Sequence, residues 1–168
     1  MGDNTILIHR EPERLRPAPE TPEQIVDVAV AAARRGEAEL AALLETLPAP
    51  IYITDAEGWV THANRACVDF AGRAPVPGED RWCVTWKLYW EGGTFLPHDA
   101  CPMAVAIKER REVRGAVALA ERPDGTRVMF TPYPTPLFDE AGGIAGAVNI
   151  LIDVTDPRQA GALRAQAQ

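Results

Sequence analysis

The hydrophobic pattern changes its period at residue 51, and this change constrains the fold more than any other feature of the chain. Before residue 51 the apolar residues recur at helical spacing, whereas after it they form short runs separated by turns such as Asp55-Ala56-Glu57-Gly58 and Arg122-Pro123-Asp124-Gly125. These turns leave five predicted strands, at residues 51–54, 59–63, 115–121, 126–133 and 144–152. Two strands, a middle region and three further strands predict an α+β fold.

The middle region, residues 64–114, must carry the chain from one side of the sheet to the other. Asn64 is placed to cap a short helix that ends near Gly72, and a second helix is predicted over residues 102–111. Between them, large aromatic residues fall at helical spacing, but the runs on either side of Gly92-Gly93 also fit a small hairpin. We favour the hairpin.

A helical segment precedes the strands. Thr21 and Gln24 have the spacing of a capping box, and the apolar residues that follow keep a helical period up to Leu47. The segment 21–47 is therefore a predicted helix, which Gly36 bends or divides. Residues 1–20 carry prolines and mixed charges with few large apolar side chains, which predicts a flexible arm.

Three alternating prolines limit how the fourth strand can pair. Pro132, Pro134 and Pro136 would direct their missing N–H groups toward the same neighbouring strand. We therefore expect full pairing only up to about Thr131, after which the strand projects past that neighbour or bulges.

The composition excludes several classes of function. The chain has 168 residues and a formal net charge of -7, so it suits one domain and lacks the positive field that nucleic acid requires. It contains neither a bilayer-spanning apolar run nor a signal-peptide core, which predicts a cytoplasmic protein without membrane binding. Three widely spaced cysteines are typical of reduced thiols rather than of a zinc site. No catalytic motif is recognisable, so we expect no enzyme activity.

Three segments carry a resemblance to a known family. They are the first strand pair closing on Asn64, the run Arg122-Pro123-Asp124-Gly125-Thr126-Arg127, and Gly146-Ala147-Val148-Asn149-Ile150-Leu151 before the ending Asp153-Val154-Thr155. Through them, residues 45–156 resemble a PAS domain. The segment from Leu96 to Ala104 is also similar to a stretch of many bacterial PAS domains from sensor kinases and related regulators.

The resemblance implies a five-stranded antiparallel sheet in spatial order 2-1-5-4-3, with the middle helices on one face around a half-open pocket. It also implies a sensory or dimerisation module in which Asp153 and Thr155 join the sheet to a signalling helix. We take residues 48–156 as the PAS domain and residues 157–168 as a short tail or helix. Because such a tail cannot hold an effector domain, we expect any output to reach another chain.

The implied pocket would lie between the predicted helix 102–111 and the last three strands. An apolar or aromatic ligand could bind there, but large aromatic residues mostly act by filling a core themselves. The candidate lining residues are Trp86, Cys101, Met103, Ile107, Val117, Phe130, Val148 and Ile150.

We expect no tightly bound cofactor. Cys101-Pro102 resembles the pair found in haem-regulated proteins, with His98 as a possible second ligand, but the start of a helix explains this pair better. Haem at Cys101 is the less favoured option. A light-driven flavin adduct is excluded because no cysteine has the neighbours that flavin photoreceptors of the PAS class carry.

Two interpretations of the helix 21–47 stay open, a dimer contact and an element folded back onto its own sheet. Its alanine-rich first part permits close helix approach, and its second part carries a leucine stripe. We favour the dimer, because most soluble oligomers are symmetric dimers. The candidate contact residues are Ile25, Val28, Ala32, Leu40, Leu43 and Leu44.

The sequence therefore predicts a non-enzymatic PAS module of bacterial signal transduction that acts in trans, as a homodimer and through another signalling protein. The alternative is a sensor that binds a small ligand in the pocket between sheet and helices. The residues identify neither the ligand nor the partner.

Overall fold

The computed structural model describes residues 18–155 of the chain, so the predicted tail 157–168 and most of the predicted arm lie outside the described residues. The α+β class is confirmed. The helices are α1 Pro22–Ala33, α2 Glu37–Thr46, α3 Arg65–Ala71 and α4 Pro102–Glu109, with a 3-10 turn at His98–Ala100. The strands are β1 Ile51–Asp55, β2 Val60–Ala63, β3 Lys87–Trp90, β4 Phe95–Leu96, β5 Ala118–Glu121, β6 Arg127–Pro132, β7 Thr135–Phe138 and β8 Ile144–Asp153.

The strands form one antiparallel sheet in the order β2-β1-β8-β6-β5-β3-β4, and β7 also pairs with β8. The predicted order is kept among the five predicted strands, but their number was wrong, because the described residues form eight. The favoured hairpin is present as β3 and β4 and extends the sheet beyond β5. The fourth predicted strand is divided into β6 and β7.

The division of the fourth strand follows from its prolines. The N–H of Tyr133 donates to the carbonyl of Ile150 at 2.9 Å, so the odd-numbered residues of this strand face β8 with their hydrogen-bonding groups. Pro132, Pro134 and Pro136 alternate with them and turn the missing N–H groups away from β8. The side of the strand that faces away from β8 pairs with β5, and this pairing extends only up to Phe130. The prolines therefore interrupt no hydrogen-bonded ladder.

The predicted N-terminal helix is divided at Gly36, whose φ of +116° favours glycine. The capping box is confirmed, since the Gln24 N–H donates to Thr21 Oγ1 at 3.2 Å and the Thr21 N–H donates to Gln24 Oε1 at 3.2 Å. Both helices pack on one face of the sheet, called here the outer face. Their buried partners form the outer core: Ile25, Val26, Ala29, Ala32, Leu40, Leu44, Leu47, Ala49, Ile51, Ile53, Tyr133, Leu137, Val148, Ile150 and Ile152.

Helices α3 and α4 and the connections around them cover the opposite, inner face of the sheet. Strand alternation sends Tyr52 inward between Ile51 and Ile53, which face outward. The buried residues on this side form the inner core: Tyr52, Val60, Cys67, Phe70, Ala71, Cys83, Val84, Leu88, Leu96, Cys101, Met103, Ala104, Ile107, Ala118, Ala120, Val128, Phe130, Ala147 and Leu151.

One buried amide joins the two layers. Asn64 caps α3, and its Oδ1 accepts from the N–H groups of Cys67 and Ile51, both at 3.0 Å. Its Nδ2 donates to the carbonyls of Leu44 at 3.0 Å and Ala49 at 2.8 Å. All four hydrogen-bonding positions of the side chain are thus used, which fixes the end of α2 against β1.

Candidate functional site

The inner core contains a buried polar network. Tyr52 lies fully buried on β1, and its hydroxyl donates to the carbonyl of Trp82 at 2.8 Å. Asn149, opposite Tyr52 on β8, donates to that hydroxyl at 3.1 Å and accepts from the Tyr133 N–H at 3.0 Å. Phe70 and Phe130 pack edge to face beside it, with ring centroids 5.3 Å apart.

Three cysteines belong to the same inner core. Burial raises the pKa of the Cys67 thiol well above its ordinary value and raises the pKa of Cys101 to about 12. Burial also raises the pKa of Cys83, against the lowering effect of hydrogen bonds from Thr85. At neutral pH all three are therefore protonated thiols, which makes them poor nucleophiles and poor metal ligands.

The pKa of Tyr52 is also held well above its ordinary value, first by burial and then by the nearby sulfur groups. The phenol is consequently a hydrogen-bond donor at neutral pH. It supports the loop that carries Trp82 and does not act as a base.

The loop above the inner core contains a backbone conformation that is rare for a large residue. Trp82 has a φ of +70°, and its N–H donates to the Gly58 carbonyl at 2.7 Å. A Cβ at Gly58 would lie 2.2 Å from the Trp82 ring, so only glycine fits there. The guanidinium of Arg81 contacts the rings of Trp59 and Trp82, at 5.0 and 4.5 Å from their centroids.

The structure brings together half of the predicted pocket residues. Cys101, Met103, Ile107 and Phe130 are members of the inner core. They are packed with the side chains of Tyr52, Phe70 and the other two cysteines, so large residues of the chain itself occupy this region.

The other predicted pocket residues were assigned to the wrong place. Val148 and Ile150 lie in the outer core, because alternation along β8 turns Ala147 and Leu151 inward instead. Val117 lies outside the inner core for the same reason, since Ala118 and Ala120 take the inward positions on β5. The Trp86 side chain is 43% exposed, with the Lys87 ammonium 4.1 Å from its ring centroid.

The predicted dimer residues of the N-terminal segment are used within the chain. Ile25, Ala32, Leu40 and Leu44 are buried in the outer core, and Val28 and Leu43 are partly buried against it. This is the arrangement that the fold-back interpretation expects. Their role in a dimer stays a prediction, but most of their apolar surface is already covered by the sheet.

Across the remainder of the outer face, in the part of the chain that the structure describes, apolar side chains are half-buried or exposed. The outer core contains no residue of β3, β4, β5 or β6. Tyr89 lies opposite Leu119, and Leu119 lies opposite Met129, so the three share this face. Phe95 adds a 58% exposed ring, 5.9 Å from the Tyr89 ring centroid. We call these four residues the bare half of the outer face.

Charged side chains of both signs border the bare half. Arg127 Nε lies 3.0 Å from Glu121 Oε1, and the Arg127 guanidinium lies 4.5 Å from the Tyr89 ring centroid. Lys87 is paired with Glu121 across β3 and β5. The rim therefore combines positive and negative groups around an apolar and aromatic centre.

The predicted transmission residues are joined at the end of β8. The Thr155 N–H donates to Asp153 Oδ1 at 2.8 Å, and the Thr155 hydroxyl also contacts this oxygen. The N–H of Val154, which lies between these two residues, donates to the Met129 carbonyl at 3.0 Å. The end of the last strand is thus fixed directly beside the bare half.

Histidine 98, the suggested second haem ligand, lies in the 3-10 turn before α4. Its Nε2 is buried and makes no hydrogen bond within residues 18–155. Burial lowers the pKa of the ring, an effect that Asp80 opposes and Arg73 reinforces. Together with the protonated Cys101, this does not fit the thiolate that haem iron takes from a cysteine.

The part of the chain that the structure describes contains neither a metal-binding cluster nor a membrane-spanning helix. Within it, no group of three or more histidine, cysteine and acidic side chains is arranged to hold a metal ion. None of its helices has the length and apolarity needed to cross a membrane.

Sequence reasoning missed two groups that organise the molecule. Arg114 contacts Glu23 of α1 at 2.5 Å and donates to the Pro134 carbonyl at 3.0 Å, which ties α1 to the sheet. The Tyr52 and Asn149 pair was also missed. A signal existed for the second, because Asn149 is a polar residue within an apolar strand.

Comparison with known proteins supports the fold. A family model described as PAS fold matches residues 44–159. A light-oxygen-voltage domain studied with a flavin analogue is similar, with a TM-score of 0.54 and 17% identity over 78% of this chain and 96% of that chain. The light-state LOV structure of the blue-light photoreceptor Aureochrome1 has a TM-score of 0.51 and 19% identity, over 77% of this chain and 99% of that chain.

A third similar structure is the PAS domain of the fruit-fly ELK potassium channel, with a TM-score of 0.50 and 11% identity over 64% of this chain and 87% of that chain. At these identities the likeness shows the fold alone. A search of curated proteins found no match.

Proposed function

Because the chain belongs to the PAS family, we propose that it is a non-catalytic signalling module that acts by binding other protein chains through the bare half of its outer face. In this proposal it works in trans within bacterial cytoplasmic signal transduction. Its first partner is a second copy of the chain.

One observation carries the proposal, namely where the large apolar side chains lie. Tyr52, Phe70, Met103 and Phe130 occupy the interior, whereas Phe95 is exposed and its neighbour Tyr89 is only half-buried. A ligand sensor of this fold needs space inside, and an interaction module needs apolar surface outside. The distribution favours the interaction module.

The rim of the bare half supports a second copy as the partner. A twofold contact places the same patch of each protomer face to face, so a rim of one sign would repel itself. Here Glu121 lies between Lys87 and Arg127, and both signs are available to each protomer. The aromatic rings at the centre are the residue types that dominate the energetics of interfaces.

The end of β8 gives a dimer of this kind a route to the C-terminal segment. Val154 is hydrogen-bonded to Met129, a member of the bare half, and Asp153 and Thr155 fix the next turn. A partner seated on Met129 would therefore act on the backbone that leads out of the domain.

The alternative of a flavin or haem sensor is not preferred. A flavin analogue was studied in one of the similar light-oxygen-voltage domains. In this chain the three cysteines are buried, protonated thiols. A ligand of that size would have to displace the packed side chains of the inner core.

Sedimentation velocity of the full chain tests the proposal. We expect a dimer for the natural sequence and a monomer for the double variant Phe95→Ser, Leu119→Glu. The matched control is Ala31→Glu, an exposed substitution on α1, which should leave the dimer intact.

An absorption spectrum and a native mass of the same sample complete the experiment. A protein that stays monomeric and carries a coloured or added ligand would replace the proposal by the sensor alternative. A dimer that persists in the double variant would show that another surface forms the contact.

A further inference from the structure

Strand β2 ends the sheet on the side opposite the hairpin, and the second half of this strand has an open edge. The Asn64 N–H donates to the Ile51 carbonyl at 3.1 Å, and the next pair along the ladder is Ala63 with Tyr52. Hydrogen-bonded and non-hydrogen-bonded pairs alternate in an antiparallel ladder. The N–H and the carbonyl of Ala63 therefore point away from β1, toward the edge.

The first half of the same edge is covered. The Val60 N–H donates to the Asp80 carbonyl at 2.9 Å, and Trp59 forms a bridge with Arg81. Outside the ladder with β1, no hydrogen bond within residues 18–155 reaches the N–H or the carbonyl of Ala63. The segment with Asp80 and Arg81 therefore covers the edge at Val60, and the edge is open beyond it, at Thr61 to Ala63.

A groove of about 200 Å³ runs along this open edge. One side is formed by the four residues of β2, and the other by Val68, Ala74, Pro75 and Pro77. Its far side presents aliphatic and proline side chains to a group that enters it.

The two prolines of the far side cannot pair with the strand as donors. Pro75 and Pro77 have no N–H groups, so they offer no donors to the free carbonyl of the strand. Their rings provide apolar surface instead. A free edge opposite a proline wall offers backbone pairing on one side and an apolar cavity on the other.

We propose that this groove is a second binding site, which takes an extended segment of a partner polypeptide as an added strand next to β2. The segment pairs with the N–H and carbonyl of Ala63 and places an aliphatic side chain between Val68 and Pro75. This is strand addition, in which main-chain hydrogen bonds supply affinity and a pocket for alternate side chains supplies specificity. The site is separate from the bare half, which lies at the opposite end of the sheet.

A display library of random heptapeptides, selected on the full chain, tests the proposal. We expect the recovered peptides to carry aliphatic residues at alternating positions. Ala63→Pro removes the outward N–H, leaves the β1 ladder intact, and should weaken peptide binding at least about tenfold. Ala63→Ser keeps the N–H and is the matched control with unchanged binding.

A second variant keeps the test independent of how well Ala63→Pro folds. Ala74 is exposed, so Ala74→Phe should fill the groove without disturbing the core and should also abolish binding. N-methylation of alternate residues in a recovered peptide should abolish binding to the natural sequence.

Three results would overturn the proposal: a library that returns no binder, binders that are insensitive to Ala63→Pro and Ala74→Phe, or binders that tolerate N-methylation. Binding that is lost in Phe95→Ser instead would move the contact to the bare half. Peptide binding that persists in a monomeric Phe95→Ser, Leu119→Glu protein would support this site whatever becomes of the proposed dimer.

Discussion

The two halves of the outer sheet face have similar alternating strands but different surroundings. On β1 and β8 the outward residues are aliphatic and lie under α1 and α2. On β3, β5 and β6 the outward residues include Tyr89, Leu119 and Met129, and the described chain places no helix over them. The comparison shows that the N-terminal helices bury one half of this face within the chain, and we propose that the other half binds a partner.

The covered half depends first on the amide of Asn64. Asn64→Ala removes four hydrogen bonds, and it leaves the Ile51 N–H and the Ala49 carbonyl without this partner, each of which costs about 1 to 3 kcal/mol when buried. We expect a loss of roughly 4 kcal/mol of unfolding free energy, allowing for some relief by water. Urea denaturation measures it. A loss below about 1 kcal/mol would show that the end of α2 is held by packing alone.

The helices of the covered half could be predicted from the sequence, but the surface that their apolar residues contact could not. Helical spacing identified a first apolar set that begins at Ile25 and a second set that includes Leu40 and Leu44, and the capping box at Thr21 located the start of the helix. An apolar stripe has the same pattern whether it meets its own sheet or a second chain. The sequence therefore could not separate a dimer contact from a fold-back.

The inner core shows a second limit of sequence reasoning. Strands β5 and β8 were predicted, but which of their residues lie on the inner face of the sheet was not, because both strands carry apolar residues on both faces. Val148 and Ile150 were consequently assigned to the inner face, where Ala147 and Leu151 lie. Asn64 was identified as a helix cap, but its contacts with Leu44 and Ala49 join residues far apart in sequence.

Two leucine substitutions, one in each half of the outer face, compare the contributions of the halves to stability. Leu44→Ala removes a fully buried side chain of the outer core and should lower the unfolding free energy by about 3 kcal/mol. Leu119→Ala changes a half-buried residue of the bare half and should cost less than about 1 kcal/mol. Both values come from urea denaturation at a concentration where the chain is monomeric. Equal losses would contradict the division of the outer face.

The ion pair that ties α1 to the sheet should contribute less. Arg114→Ala removes contacts with Glu23, Thr135 and the Pro134 carbonyl, and we expect a loss of about 1 kcal/mol. The coupling with Glu23→Ala should be only about 0.5 kcal/mol, since half of the Glu23 side chain is exposed. A double-mutant cycle measures this coupling. If the effects of the two substitutions are additive, the ion pair does not stabilise α1, and only its apolar face holds it to the sheet.

The smallest expected effect is a dependence on pH that involves neither half. Burial lowers the pKa of His98 in the folded chain, against the opposing effect of Asp80 and with that of Arg73. The neutral ring is then favoured by folding, so stability is full above the unfolded pKa of about 6.5 and falls as pH decreases below it. Unfolding curves between pH 7.5 and about 5 should show this slope. His98→Gln should reduce it, and an unchanged slope would assign it to other groups.

The central claim is that the bare half, and not the N-terminal helices, meets a second copy of the chain. It is tested most directly by isotope-filtered NMR on a mixture of labelled and unlabelled full-length protein, which detects contacts between protomers only. The account predicts intermolecular signals from the methyl groups of Leu119 and Met129 and from the rings of Tyr89 and Phe95. Signals from Val28 and Leu43 instead, or a protein that is monomeric at the concentrations used for NMR, would contradict it.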